Sequence, residues 1–415
     1  MGFDNKNSYW IDTFIKKYEE SFKKVDLLDR KSEYWRFASP SIWYDNYNKN
    51  KLPSEKQIEN FSFNYDGITE CCIKFKDGML DICSLDELSK REKNIELSSY
   101  KDSVINENHW STQKFGLAQL NAEKPYERPL ALFNGLDSRD GVFIKFKKGV
   151  RKKFHIIYEG NEQKKSTIRN LFDFEENVDI TIIEHFYGNS KYNIVSEFFS
   201  ADNSKFEHIK IINQDITDTF IYHLFGNCQK HSNIKAINFS FSENPVRNEV
   251  NLYLEGPECN ATVASLGFGQ KDTSICDNTV FISHQEESSK SRQIIKNALS
   301  GGAKAIFQGK IYVSSVAQKT DGYQMSNGLI LTDDCQFLVK PELEIYADDV
   351  KCSHGSTSGS IDADAIHYLM TRGIKLTEAK KLLITGFLNE IFDNIPEQKI
   401  KTFLEKTIKE QINGV

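Results

Sequence analysis

No stretch of this sequence approaches the roughly 20 consecutive apolar residues that a membrane span needs. The opening Met1-Gly2-Phe3-Asp4-Asn5-Lys6 also lacks the apolar run of a secretory leader. These absences predict a cytoplasmic protein, and there its eight cysteines are expected to be reduced thiols instead of a disulfide frame. Cys71 and Cys72 are adjacent and the others are scattered, so no Cys-x-x-Cys or zinc-ribbon spacing exists. A Walker A loop is missing too, because Gly267-Phe268-Gly269-Gln270-Lys271 has the wrong spacing to cradle phosphates. Neither a nucleophile elbow nor a Ser-His-Asp order is found. A formal charge of −6 over 415 residues gives little of the basic surface that nucleic-acid binding requires. The runs Lys145–Lys148 and Arg151–Lys153 read as solvated strand ends or turns.

What is present suffices for a sizeable core: 39% hydrophobic residues, with an aromatic share of 12%. Three textures follow one another. In the first, to about residue 65, Trp10, Phe14, Tyr18 and Phe22 recur every four residues, which places them on one helix face. From about residue 66, short β-rich runs such as Val178–Tyr187, Phe206–Ile212 and Lys304–Val313 alternate with Gly, Asn, Asp and Ser turns. No long amphipathic helix separates them, which excludes alternating βαβ units. A single barrel or sandwich would be oversized at this length, whereas stacked β-helix coils accommodate it. Strict periodicity is absent.

The third texture begins near Ser360. Asp362 can cap a helix carrying Ile366, Leu369 and Met370, and Gly373 can end it. Thr377 opens another, with Ala379, Leu382, Leu383, Phe387 and Ile391 on one side. These stripes require burial, either against the end of the β body or against a partner.

The densest signal is Lys340-Pro341-Glu342-Leu343-Glu344-Ile345-Tyr346-Ala347-Asp348-Asp349-Val350-Lys351-Cys352-Ser353-His354-Gly355. With Phe307–Val313, Ala317–Asp321 and Ile366–Ile374 around it, this segment resembles the SufD signature of the SufB/SufD family of iron–sulfur cluster assembly proteins. Glu33-Tyr34-Trp35-Arg36-Phe37 is similar to a weaker landmark of the same family. The paralogous SufB usually carries a glutamate-histidine-glutamate core at this point and is usually longer, so the resemblance favours SufD.

The resemblance and the strand runs together predict a mainly β protein. A right-handed parallel β-helix is expected over residues 90–359, a helical region and linker over 1–89, and a helical domain over 360–415. The family implies a non-catalytic scaffold that pairs with a SufB-like subunit and docks a SufC-like ABC ATPase, which alone binds ATP. Docking is expected on the last helices, at Leu383, Phe387 and Ile391. Residues two apart on a strand share a face, so Cys352 and His354 would present a thiolate and an imidazole together, a soft donor pair suited to iron. Taken by itself, such a Cys-x-His reads more often as a buried thiol and a capped histidine. With the resemblance, the pair is expected at the SufB interface, holding iron or a nascent cluster transiently and sharing it. Asp348 and Asp349, as adjacent strand residues, would face opposite ways and make no acid/base pair. His231 and His284 read as structural histidines, and Asn278, Gln318 and Asn327 as amides of strand ends or ladders. Three alternatives remain open: a SufB-like paralogue that carries the cluster itself, a β-helix carbohydrate-active enzyme, and an acyltransferase β-helix, whose hexapeptide period is missing.

Overall fold

Runs of β-branched and aromatic residues between short turns fold here into long strands that stack in parallel, one coil upon the next. The computed structural model describes residues 10–25, 32–48, 68–122, 127–161, 165–188, 190–213, 219–395 and 397–412. Residues 1–9, on which the expectation about a leader rests, lie outside these.

The chain begins with α1 (Asp12–Phe22) and α2 (Pro40–Asn48). Next come β1 (Cys71–Lys76), β2 (Met79–Leu80), α3 (Ile82–Arg91), β3 (Ile95–Ser99), α4 (Tyr100–Val104), α5 (Leu117–Leu120), α6 (Pro129–Asp137) and β4 (Val142–Phe146). Strands then follow one another: β5 (Arg151–Gly160), β6 (Lys165–Phe174), β7 (Asp179–Gly188), β8 (Lys191–Ser200), β9 (Lys205–Ile212), β10 (Phe220–Cys228), β11 (Asn233–Ser240) and β12 (Val246–Leu254). The series ends with β13 (Asn260–Gly269), β14 (Ile275–His284), β15 (Lys290–Leu299), β16 (Lys304–Val313), β17 (Asp321–Ile330), β18 (Gln336–Ile345) and β19 (Lys351–Gly359). The chain closes with α7 (Ala363–Thr371), α8 (Leu376–Asn389) and α9 (Gln398–Ile412).

Each strand pairs in parallel with the strand two further along, so that two strands make one coil. The odd-numbered strands from β5, with β1 and β2, form a 10-stranded sheet; the even-numbered ones from β4, with β3, form a 9-stranded sheet. The parallel β-helix is thus present, with helical segments at both ends. Its start differs from the sequence expectation. The strands β1 and β2 precede residue 90, α4 to α6 follow it, and the uninterrupted coils begin only at β4.

Inside, aromatic rings stack along the axis: Phe75 on Tyr158 at 4.8 Å between ring centres, and Tyr158 on Phe186 at 4.3 Å. One corner repeats a backbone device. Asn177, Asn203, His231, Glu258, Ser288 and Lys319 all adopt left-handed φ values between 56° and 62°. Each donates its N–H to a carbonyl in the following coil, as Asn203 does to Lys230 at 2.9 Å and Lys319 to Asp349 at 2.6 Å. The backbone stack holds these non-glycine residues in a conformation that they rarely adopt alone.

The outer faces of most coils are covered. Tyr18 of α1, Tyr100, Phe115 and Leu132 pack on the 9-stranded sheet at Phe143 and Leu171. Ile384, Leu388, Ile391, Phe392, Ile400 and Leu404 from the C-terminal helices pack on Ile183, Ile209, Ile237, Phe239 and Leu266 of the 10-stranded sheet. Lysines fix that tail: Lys235 Nζ donates to the Asn394 carbonyl at 2.9 Å, and Lys296 Nζ to the Phe387 carbonyl at 3.2 Å and to Glu390.

The two ends differ. At the first, the antiparallel strands β2 and β3 and the helix α3 close the sheets. At the other, β18 and β19 are the outermost strands, and no further strand pairs with them among the described residues.

Candidate functional site

The uncapped end is where the signature segment folds. In register, Cys352 lies beside Gly322 and His354 beside Gln324. Along β17 the buried positions are Gly322, Gln324, Ser326 and Gly328, so Cys352 and His354 share the face that points into the solenoid. The expected common face is therefore present. The Cys352 side chain is half-buried against Ile311, Val313, Ala317, Leu343 and Val350, while His354 is exposed. Burial pushes the Cys352 thiol up, and the carboxylate of Asp321 adds to this. A metal ion would have to displace its proton. Around this rim Val316, Ile345 and Tyr346 are exposed apolar side chains, with Tyr346 O–H donating to Glu344 Oε1 at 2.7 Å.

Asp348 and Asp349 do not sit on a strand as expected. They form the bend between β18 and β19, where Asp349 N–H donates to Gln318 Oε1 at 2.9 Å. His284 is buried, with Nε2 2.8 Å from Ser291 Oγ, and His231 occupies the left-handed corner beside Glu258. Amide pairs do form between coils: Asn248 Nδ2 donates to Asn278 Oδ1 at 3.1 Å. Asn327 donates instead to the Thr357 hydroxyl at 2.6 Å.

The proposed docking stripe is divided. Leu383 and Phe387 are half-buried, and Lys296 Nζ lies 4.6 Å from the centre of the Phe387 ring. Ile391 is fully buried in the packing on the 10-stranded sheet. As an accessible contact Ile391 is corrected: its side chain already covers the body. The exposed apolar residues of this region are Tyr368 and Met370 on α7 and Leu376 and Leu382 on α8.

Sequence reasoning missed the buried polar clusters. Glu249 accepts hydrogen bonds from Arg128 Nε at 2.7 Å and Arg247 Nη2 at 3.0 Å; Arg247 also bonds Asp277 at 2.6 Å and lies 4.2 Å from the Trp35 ring centre. Inside the solenoid, Glu184 accepts from Tyr158 at 2.9 Å and pairs with His208 Nε2 at 2.8 Å, while Lys210 reaches Asn248. Burial pushes the Lys210 ammonium down to about 7. Apart from Arg247–Glu249, two residues apart on β12, the hydrogen bonds span 24 to 121 residues in sequence, so local spacing carries little trace of them. Among the described residues no group of three or more His, Cys, Asp or Glu gathers as a metal site. Cys352 and His354 are thus two donors where a tetrahedral iron centre takes four.

The profile of the SUF system FeS cluster assembly SufBD core domain matches residues 156–387. The chain belongs to the SufB/SufD family. Similar proteins include the iron–sulfur cluster assembly protein SufD of Escherichia coli (strain K12), 30% identical over 259 residues that make up 61% of each chain. The SufD of Bacillus subtilis (strain 168) is 25% identical over 296 residues, 68% of this chain and 65% of that one. A SufBD family protein of Synechocystis is 31% identical over 219 residues, 52% of this chain and 48% of its own. The SufD-named relatives place the chain on the SufD side of the family, and the matched region spans less than two thirds of these relatives' lengths. The family core runs from the middle of β5 almost to the end of α8, and therefore covers both the uncapped end and the first tail helices.

Proposed function

We propose that this chain is a non-catalytic scaffold subunit of an iron–sulfur cluster assembly complex. Its uncapped solenoid end receives a SufB-like chain, and a SufC-like ATPase docks on the exposed side of α7 and α8. The observation that supports this reading best is the uncapped end itself. It presents two outermost strands, a rim of Val316, Ile345 and Tyr346, and two soft donors on one face. Free strand edges and apolar rims of this kind favour pairing with another chain. A second chain could supply the donors that Cys352 and His354 lack, so iron or a nascent cluster would be shared cargo. The sequence carries no phosphate loop, which leaves ATP to the partner. All eight cysteines are free thiols, in keeping with a cytoplasmic setting, and no helix among the described residues is long and apolar enough to cross a membrane.

Co-expression with SufB-like and SufC-like chains tests this. Cys352→Ala and His354→Ala each remove a donor without opening a large cavity, so both variants should fold and assemble. Cluster content on the complex should drop sharply, because iron left with solvent ligands is poorly retained. Normal cluster content in both variants would sink the ligand assignment, and failure of the SufB-like chain to co-purify would sink the pairing.

A further inference from the structure

Beneath His354 the solenoid interior carries an amide ladder whose last acceptor has no donor. Gln293, Gln324 and His354 are register partners on β15, β17 and β19, in one inward-facing column. The Lys310 carbonyl accepts Gln293 Nε2 at 3.3 Å, and Gln293 Oε1 accepts Gln324 Nε2 at 3.2 Å. A carbonyl can only accept, so the first bond orients Gln293 and the second orients Gln324, which leaves Gln324 Oε1 at the end of the ladder. That oxygen is buried without a hydrogen-bond partner, in a residue only 1% exposed. The facing sheet makes room for the ladder with a glycine. A Cβ at Gly309 would fall 2.6 Å from Gln293 Oε1 and 3.0 Å from Gln324 Nε2.

A buried acceptor left unmade is destabilising, and the residue that β19 sets beside Gln324 is a histidine with two ring nitrogens. We propose that Gln324 is a positioning residue for His354, its Oε1 taking one ring N–H so that the lone pair of the other nitrogen is presented to the metal. This rests on the reading of His354 as a ligand. In the structure His354 stands exposed, and the contact belongs to the metal-bearing state, in which the imidazole turns inward. A metal-bound histidine generally donates its second nitrogen to such an acceptor, which fixes both tautomer and ring orientation. The ladder then relays its orientation from the backbone of β16 through two amides to the imidazole.

The test uses the full-length chain in complex with the SufB-like chain, with ring-15N-labelled histidine in this chain only and zinc(II) as a diamagnetic probe, the His354 signals being assigned by their loss in His354→Ala. In the zinc-loaded wild type, one His354 nitrogen should be metal-bound and the other protonated and hydrogen-bonded. Gln324→Leu should shift the protonated nitrogen to the position of a solvent-exposed N–H and weaken zinc about tenfold. Gln324→Glu, which restores an acceptor, should recover both; a purely structural glutamine would move neither signal. If Gln324→Leu changes neither the ring signals nor the affinity while His354→Ala loses zinc, the positioning role is overturned and the ligand reading survives. If wild type and His354→Ala bind zinc equally, the ligand reading fails and takes the positioning role with it.

Discussion

The coils from β5 to β16 and those from β17 to β19 share one backbone plan yet occupy opposite environments. In the first group, residues on both faces of a strand are buried: every position of β10 except Asn227 is closed to solvent, including the outward-facing His223 and Phe225. Helices lie over the outer faces, and the charges trapped there meet in bonded clusters. In the second group burial alternates along β17, and on β19, which is made largely of Ser, Gly and Thr, no residue is fully buried. The covered coils spend their polar chemistry on holding the fold, whereas the last coil leaves its own open to solvent at the uncapped end. The same residue types therefore carry opposite meanings. Buried His208 is tied to a carboxylate inside one chain, while exposed His354 stands over an unsatisfied amide.

The strongest way to break this contrast is to cut a covered cluster. Glu249→Ala leaves Arg128 and Arg247 buried without their shared carboxylate, beside His223, whose Nε2 lies 3.4 Å from Glu249. Burial alone would raise the Glu249 carboxyl, but His223 and the two arginines outweigh it and hold the group well below the usual carboxylate range. Removing one member of such a cluster should cost about 3–5 kcal/mol in chemical denaturation. A loss below about 1 kcal/mol would mean that the covered charges do not hold the fold.

Acid should separate the two groups next. Burial pushes His155 and His185 down to about 3 and His284 to about 4, so in the folded chain all three are neutral at moderate pH. The unfolded chain binds protons at these sites near pH 6.5, so the stability they contribute is complete above that value. It is lost progressively as pH falls from about 6.5 toward 4 and then 3. By pH 5 the loss should reach about 2 kcal/mol per histidine. Thermal melts between pH 7.5 and 5 read this directly, and His284→Gln should flatten the curve. A melting temperature independent of pH over that range would contradict the burial of these rings.

The contrast also explains what the sequence could reveal. The helix face of Trp10, Phe14, Tyr18 and Phe22 was readable because one side of α1 meets the body and the other meets water. The cap at Asp362 was readable because its carboxylate accepts the N–H groups of Asp364 and Ala365 within three residues. The covered strands gave no alternation to read, since Arg169, Glu197, Arg247 and Glu249 are polar yet buried on the outward side. Nor did the coils repeat in sequence. The left-handed corner recurs at intervals of 26 to 31 residues and is filled in turn by Asn, Asn, His, Glu, Ser and Lys, so neither period nor residue type marks it. Cys352 and His354 fell on one face as their spacing required, because strand geometry is local. A helix stripe does not tell which partner covers it, so in sequence Ile391 falls on the docking stripe; in the fold the sheet covers it, through residues more than a hundred positions earlier.

The smallest effect on stability, and the sharpest division of roles, is expected at Leu382. It lies on α8 near Ile384 and Leu388, but those two are buried against the 10-stranded sheet and Leu382 is 53% exposed. Helix α7, which packs beside it, has no buried residue at all. Ile391→Asp cannot report docking by itself, because it drives a carboxylate into the packing that holds the tail. Leu382→Asp touches none of that packing, so unfolding should change by no more than about 0.5 kcal/mol. If the ATPase partner docks on this exposed side, the same substitution should abolish its co-purification, and Tyr368→Asp on α7 should weaken it. If a SufB-like chain meets the uncapped end, both variants should still retain it. Undiminished ATPase binding by Leu382→Asp would move the dock off these helices, while loss of both partners together would show that the tail and the uncapped end form a single surface.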